Sequence, residues 1–230
     1  MKSYIPHFIT LLNLFSGCVA VIFALEGNMK LTALFVCLGI FFDFFDGLLA
    51  RKLNVASELG VQLDSLADMV TSGLVPGLVL FHLLGLAPQL SWETYNLLPY
   101  FGLLVTLASA FRLAKFNIST NQSDAFIGLP TPANALLIIS LPLILEYQHS
   151  DAINVIILNP WFLIALTLVS CYLLNAPIKL IALKFKTWNF KDNASRYILI
   201  ILSLVLLAIF QFAGIPLVII AYILLSIASK

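Results

Sequence analysis

The sequence is short of charge and of cysteine, and both shortages limit what kind of protein it can be. Charged residues make up 10% of its 230 residues and hydrophobic residues 61%, whereas a typical soluble domain is about 25% charged. A soluble domain of this size could not bury so much apolar surface, so we expect lipid to surround most of it. The formal net charge of +1 gives no basis for nucleic-acid binding. The three cysteines show neither metal-ligand spacing nor a disulfide framework.

The chain also lacks an internal repeat and a separate polar segment long enough to fold in water. Because a spanning helix needs about 20 mostly apolar residues, we predict an all-α fold, a polytopic transmembrane helix bundle. Residues 1–230 would form a single membrane-embedded domain. Eight spans are predicted, over residues 7–25, 31–51, 61–86, 97–115, 130–147, 155–175, 196–213 and 214–229. The last two are divided only by Gly214 and Pro216, so they form either a tight hairpin or one kinked helix.

Basic residues are distributed unevenly between the two predicted sides of the membrane. Of the 12 lysines and arginines, all but Lys30 fall on the side that holds both termini. Since the positive side is cytoplasmic, we expect an integral protein of the cell (inner) membrane with both termini in the cytoplasm. The basic stretch from Pro177 to Ser195 has apolar residues at helical spacing and is predicted to lie along the cytoplasmic interface. It either anchors the topology or recruits anionic lipid.

Four aspartates stand close together at the predicted cytoplasmic ends of spans 2 and 3. They are Asp43, Asp46, Asp64 and Asp68. Spacings of three and four place each pair on one helix face, and the short link 53–57 lets the two helices return antiparallel. Four ionised carboxylates at one site would repel each other unless cations offset their charge. Oxygen ligands without sulfur or imidazole favour Mg²⁺ or Mn²⁺, and two such ions are the usual arrangement for displacement at phosphorus.

Small residues accompany the aspartates. Gly47 and Ala50 follow Asp43 on its own helix face, and Gly60 precedes Asp64 by one turn. They would leave room for a bulky ligand near the backbone, and Arg51 could bind a phosphate through its guanidinium. Helix packing through small residues would explain the glycines and alanine, but it does not explain four aspartates.

The motif formed by these residues resembles the signature of the CDP-alcohol phosphatidyltransferase family. It reads Asp43-x2-Asp46-Gly47-x2-Ala50-Arg51-x8-Gly60-x3-Asp64-x3-Asp68. The resemblance implies a six-helix membrane core, two divalent metal ions, and attack of an alcohol on a CDP-activated lipid with release of CMP. Residues 5–13 are similar to the segment that meets the cytidine in that family. Residues 111–117 and 128–133 are similar to the phosphatidylserine synthase branch, which implies CDP-diacylglycerol and L-serine as substrates, membrane lipid as surroundings and a homodimer.

The resemblance also implies roles for individual residues. Asp43 and Asp64 would bridge both metals, Asp46 would bind the first, and Asp68 would bind the second and act as the catalytic base. The residues implied to contact the nucleotide or diphosphate are Thr10, Asn13, Gly47, Ala50, Arg51, Ser57 and Gly60. Arg112 and Lys115, at the cytoplasmic end of span 4, either meet the serine carboxylate or anchor the helix by their charge.

The same residues are also compatible with other functions. The same chemistry could use glycerol phosphate or inositol phosphate as acceptor, or an archaeal ether lipid as donor. A divalent-cation transporter belongs to another class and would predict acidic residues near the bilayer midplane and pseudo-symmetric halves. A non-catalytic scaffold would not need the complete set of aspartates.

Overall fold

The protein is built almost entirely from helices. The computed structural model describes residues 4–88, 97–118, 126–148, 150–181 and 190–228. The α-helices are α1 (Tyr4–Leu25), α2 (Met29–Lys52), α3 (Glu58–Asp68), α4 (Val75–Leu86), α5 (Leu104–Ile118), α6 (Thr131–Tyr147), α7 (Asp151–Ile157), α8 (Pro160–Asn175), α9 (Phe190–Phe210) and α10 (Gly214–Ala228). A π-helical segment covers Met69–Leu74, and 3-10 segments cover Leu98–Leu103 and Gln211–Ala213. Two short strands, β1 (Phe126–Ile127) and β2 (Lys179–Leu180), pair antiparallel.

The predicted all-α transmembrane bundle is confirmed, and its span count holds only approximately. Among the described residues, 5 helices are long and apolar enough to cross a membrane, or up to 6 if α7 and α8, bent by 59°, form one span. These helical segments cover Tyr4–Leu25, Met29–Lys52, Glu58–Leu86, Leu98–Ile118 and Asn193–Ala228. The last of them contains both α9 and α10, and α6 is a shorter apolar helix. Large apolar side chains such as Phe8, Phe15 and Phe44 face outward, as expected of a surface in contact with lipid.

The apolar stretch at the C-terminal end turns back on itself. Gln211 adopts a positive φ of 49°, and α10 begins at Gly214. A Cβ atom on Gly214 would lie 2.6 Å from the carbonyl oxygen of Leu206, although eight residues of straight helix extend about 12 Å. The chain therefore forms a hairpin between α9 and α10, which is the first of the two arrangements that the sequence left open.

The third span contains a π-helical segment directly after Asp68. The Val75 N–H donates to the carbonyl of Val70, five residues earlier, and Pro76 follows at the start of α4. Proline has no N–H to donate into the preceding turn, so the regular α-helical pattern is already interrupted here. Beyond it, α4 buries Val79, Leu80 and Leu83 in an aliphatic core shared with α1, α2, α6 and α8.

The predicted interfacial stretch 177–195 falls partly outside the described residues, since 182–189 are not described. Within the described part, Lys179 and Leu180 form strand β2, so the helical spacing seen in the sequence does not extend through these two residues. Strand β1 lies just before α6 and strand β2 just after α8. Their pairing therefore ties the chain entering α6 to the chain leaving α8.

Candidate metal and phosphate site

Three of the four aspartates form one carboxylate cluster. Asp43 and Asp46 come from α2 and Asp64 from α3, and one oxygen of each lies within 4.8 Å of the others. The Asp46 carboxyl is buried, with 5% of the residue exposed. One oxygen of Asp64, Oδ1, is buried without a hydrogen-bond partner. A buried carboxylate oxygen without a partner is costly, and a divalent cation in the cluster would satisfy it, so these residues fit a hard metal ion.

Asp68 lies beside the cluster and has protein donors on both of its oxygens. Asn13 Nδ2 donates to Oδ1 at 3.4 Å, and Thr131 Oγ1 donates to Oδ2 at 3.5 Å. Asp68 is 8% exposed and near enough to Asp64 for electrostatic repulsion. Its setting therefore differs from that of Asp64, because the protein holds both of its oxygens in place.

The amide of Asn13 is itself oriented by Thr71 from the π-helical segment. Thr71 Oγ1 donates to Asn13 Oδ1 at 2.8 Å, which leaves Nδ2 to face Asp68. Two glycines make room for this threonine. A Cβ atom on Gly17 would lie 2.3 Å from Thr71 Oγ1, and one on Gly39 would lie 2.5 Å from Thr71 Cγ2. Sequence spacing does not predict this support, although two glycines inside apolar helices are a signal of close packing.

Thr10 and Asn13 are one turn apart on α1, and each donates a hydrogen bond to an aspartate. Thr10 Oγ1 donates to Asp46 Oδ2 at 2.5 Å, as Asn13 does to Asp68. The resemblance implied nucleotide contacts for both residues. In the structure they hold carboxylates, and Thr10 also borders the adjacent cavity.

A cavity of about 120 Å³ adjoins the cluster between α1, α2 and α3. Its lining includes most of the residues implied to contact the nucleotide, together with two of the aspartates: Thr10, Asp46, Gly47, Ala50, Ser57, Gly60 and Asp64. A Cβ atom on Gly47 would have Arg51 Nη2 as its nearest neighbour, at 3.9 Å. No described protein atom therefore requires glycine there, and the free space is available to a ligand.

Ser57 caps the helix that carries Asp64 and Asp68. Its hydroxyl oxygen accepts a hydrogen bond from the Gly60 N–H at 3.1 Å and lies 3.1 Å from His7 Nε2. A side chain on Gly60 would crowd the same histidine, at 3.3 Å. The start of α3 is therefore fixed against α1 at the edge of the cavity, where an N-terminal helix end favours anions.

The two basic residues predicted to meet the acceptor have different surroundings. Arg112 is half-buried on α5, its Nε is buried without a partner, and its charge acts on Asp68. Lys115, in the last turn of α5, is exposed. Asn117 joins the same helix end to α3, since its Oδ1 accepts from Ser65 at 3.0 Å and its Nδ2 donates to Gln62 at 3.1 Å. The structure thus brings Arg112 to the site and leaves Lys115 at the surface.

The sequence of this chain is similar to those of known proteins. The model of a family described as CDP-alcohol phosphatidyltransferase matches residues 3–227. The chain is 38% identical over 143 residues to a Bacillus subtilis protein named CDP-diacylglycerol–serine O-phosphatidyltransferase, covering 60% of this chain and 75% of that protein. A Helicobacter pylori protein of the same name is 33% identical over 147 residues, covering 63% of this chain and 59% of its own length. A Methanothermobacter thermautotrophicus protein named archaetidylserine synthase is 28% identical over 155 residues, covering 66% of this chain and 64% of its own length.

Proposed function

The chain belongs to the CDP-alcohol phosphatidyltransferase family, and on that basis we propose that it transfers a phosphatidyl group from CDP-diacylglycerol to L-serine. The products are phosphatidylserine and CMP. The observation that carries the proposal is the carboxylate cluster of Asp43, Asp46 and Asp64 beside a cavity bordered by small residues. The names of the Bacillus subtilis and Helicobacter pylori relatives support serine as the acceptor.

The cluster would hold two divalent cations, Mg²⁺ or Mn²⁺. Asp43 and Asp64 would contact both ions, Asp46 the first and Asp68 the second. The unpartnered Asp64 Oδ1 and the all-oxygen donor set support this assignment. When bound, such ions neutralise the diphosphate and the negative charge that develops on the departing CMP.

The CDP head group would occupy the cavity between α1, α2 and α3, while the acyl chains stay in the bilayer. Gly47, Ala50 and Gly60 leave space for the nucleotide. Arg51, whose guanidinium lies 3.9 Å from the position of a Cβ on Gly47, would bind a phosphate oxygen. The Ser57 hydroxyl would face the same group from the start of α3.

Asp68 would act as general base in a single direct displacement. As the serine oxygen bonds to the phosphorus of the phosphatidyl group, the bond from that phosphorus to the CMP oxygen breaks, and the hydroxyl proton passes to Asp68. The donors Asn13 and Thr131 hold this carboxylate in one orientation. A positioned base typically contributes about 10²–10⁴-fold to the rate.

Arg112 would bind the carboxylate of the incoming serine, because its guanidinium is near Asp68 and its Nε has no described partner. Lys115 would contribute at longer range. An ether-linked CDP lipid is a second candidate donor, and the match to the archaetidylserine synthase favours it. An ether-linked CDP lipid would present the same head group to the same cavity, so the donor tails have to be tested separately.

We propose that the chain is an integral protein of the cell (inner) membrane, with its active site and both termini in the cytoplasm. It would fold as a single domain and act as a homodimer. The uneven distribution of lysine and arginine supports this orientation. Lys30, which falls on the opposite side, is paired with Glu146 at 2.8 Å. The dimer is an expectation from the family resemblance alone.

The test is incubation of the purified protein with CDP-diacylglycerol, Mn²⁺ or Mg²⁺, and one acceptor at a time. We expect CMP release and phosphatidylserine formation with L-serine, and neither with glycerol 3-phosphate or inositol phosphate. Arg112→Gln should raise the KM for serine more than Lys115→Gln, which serves as the matched exposed control. Turnover with another acceptor and not with serine would contradict the acceptor assignment. An ether-linked CDP lipid in a parallel reaction tests the second donor.

A further inference from the structure

The C-terminal hairpin of α9 and α10 has no part in the chemistry proposed above, yet α10 holds a segment that leads to the active site. Both backbone groups of Ile181 are bound by this helix. The Tyr222 hydroxyl donates to the Ile181 carbonyl at 3.0 Å, and the Ile181 N–H donates to Ser226 Oγ at 3.1 Å. Two side chains one turn apart on α10 therefore fix the residue that follows strand β2.

Strand β2 in turn fixes the segment before α6. Its residues pair antiparallel with β1, and the Gly128 N–H donates to the Ile178 carbonyl at 2.9 Å. The next N–H, of Leu129, donates to the Leu173 carbonyl at 2.8 Å. Gly128 has a φ of +75°, and a Cβ atom there would lie 2.5 Å from the Leu174 carbonyl oxygen. The segment 126–129 is thus bound at successive backbone groups and tightly packed.

This bound segment ends at a residue that contacts Asp68. Only Pro130 separates Leu129 from Thr131, and the proline ring fixes its own φ. Thr131 is the first residue of α6, is fully buried, and donates to Asp68 Oδ2. A continuous series of hydrogen bonds and covalent links therefore runs from α10 to the carboxylate.

We propose that α10 braces the acceptor side of the active site, and that Tyr222 is a positioning residue that acts through Ile181, the paired strands and Thr131 on Asp68. The inference rests on the role proposed for Asp68. It gives a function to a helix that carries none of the motif residues, because the brace determines where Thr131 sets the carboxylate relative to the incoming alcohol.

The location of Tyr222 indicates which substrate the brace should affect. Its phenol lies in the neighbourhood of the Arg112 guanidinium, and Arg112 is the residue proposed for the serine carboxylate. The nucleotide cavity is lined by residues of α1, α2, α3 and the link between α2 and α3. Loosening the brace should therefore disturb the serine step and leave binding of the CDP lipid unchanged.

The experiment is a double-mutant cycle of Tyr222→Phe and Thr131→Val in the full-length protein. Tyr222→Phe removes one hydroxyl and should lower kcat about three- to ten-fold, the scale of one lost hydrogen bond, without changing CDP-diacylglycerol affinity. The ratio of serine transfer to hydrolysis of the CDP lipid by water should also fall. Since both residues act on one carboxylate, the double variant should be no slower than Thr131→Val alone.

Tyr172→Phe is the matched control, because it removes the hydroxyl of an exposed tyrosine on α8. Ser226→Ala releases Ile181 at its other backbone group and should repeat the Tyr222→Phe effect, while Ser226→Thr, which keeps a hydroxyl, should restore it. Thermal unfolding in detergent separates these effects from loss of the fold.

Independent, multiplicative losses in the double variant would overturn the brace, as would wild-type kinetics for both Tyr222→Phe and Ser226→Ala. A weaker affinity for the CDP lipid would also overturn it. If the unmodified protein turns over another alcohol and not serine, the proposed function fails. The same cycle measured with that alcohol still tests the brace.

Discussion

Replacing Asp68 with asparagine separates a catalytic base from a metal ligand, because the two roles predict different losses. The substitution keeps the shape of the side chain and removes its ability to take a proton. The carboxylates of Asp43, Asp46 and Asp64, each with one oxygen within 4.8 Å of the others, remain to hold a cation and, through it, the diphosphate. We therefore expect binding of CDP-diacylglycerol to persist.

The expected loss of rate follows from the proposed role. A general base is worth about 10²–10⁴-fold, which corresponds to about 3–5 kcal/mol of transition-state stabilisation. Asp46→Asn should behave differently, since it removes a member of the cluster and the acceptor of the 2.5 Å hydrogen bond from Thr10. It should weaken lipid binding and slow turnover together.

The assay measures kcat from CMP release and affinity from Mn²⁺-dependent binding of CDP-diacylglycerol, for both variants. Glu58→Gln is the control, because Glu58 is an exposed carboxylate on the same helix α3. A rate defect without a binding defect identifies a group needed only in the transition state. Near-normal turnover of Asp68→Asn would refute the assignment of the base. Equal losses of binding in both variants would mean that the aspartates act as one unit.

Three further predictions concern the cavity, the orientation and the metal. Gly47→Ala should not lower thermal stability, since the nearest side-chain atom, Arg51 Nη2, is 3.9 Å from the new methyl group and alanine favours a helix over glycine. It should weaken CDP-diacylglycerol binding at least about ten-fold because the ligand needs that space, and unchanged affinity would contradict the placement of the nucleotide. In a variant without the three native cysteines, Ser150→Cys should react with an impermeant thiol reagent added outside intact cells, and Ser57→Cys should not. The reverse pattern would place the active site on the outer side of the membrane. Exhaustive chelation should abolish activity, and Mg²⁺ or Mn²⁺ should restore it; activity that survives chelation would contradict a metal-dependent displacement.

Much of the fold and the proximity of the aspartates could be predicted from local features of the sequence. Apolar runs of about 20 residues identify membrane helices, and spacings of three and four place Asp43 with Asp46 and Asp64 with Asp68 on common faces. The link 53–57 is short, so it lets the two helices return antiparallel and close together. The carboxylate cluster follows from these local rules together with the family motif.

The support of Asp68 could not be predicted in the same way. Its donors, Asn13 and Thr131, are 55 and 63 residues away in sequence, and neither periodicity nor spacing relates positions so far apart. The strand pair is hidden for a similar reason, since two-residue strands have too little pattern to be recognised. Gly17 and Gly39 were visible as small residues, but only the packed structure shows that both make room for Thr71.

The π-helical segment Met69–Leu74 has a consequence for how this protein can vary. In a continuous α-helix, each residue is rotated by about 100° from the last, so the direction of Asp64 and Asp68 would dictate which residues of α4 face the interior. The wider turn contains one extra residue. The residues after it therefore face a different direction from the one that a continuous α-helix would give them. The half before it can present carboxylates to a polar cavity, while the half after it presents Val79, Leu80 and Leu83 to the aliphatic core. Substitutions that repack α4 against this core can thus accumulate while Asp64 and Asp68 keep their direction towards the cavity.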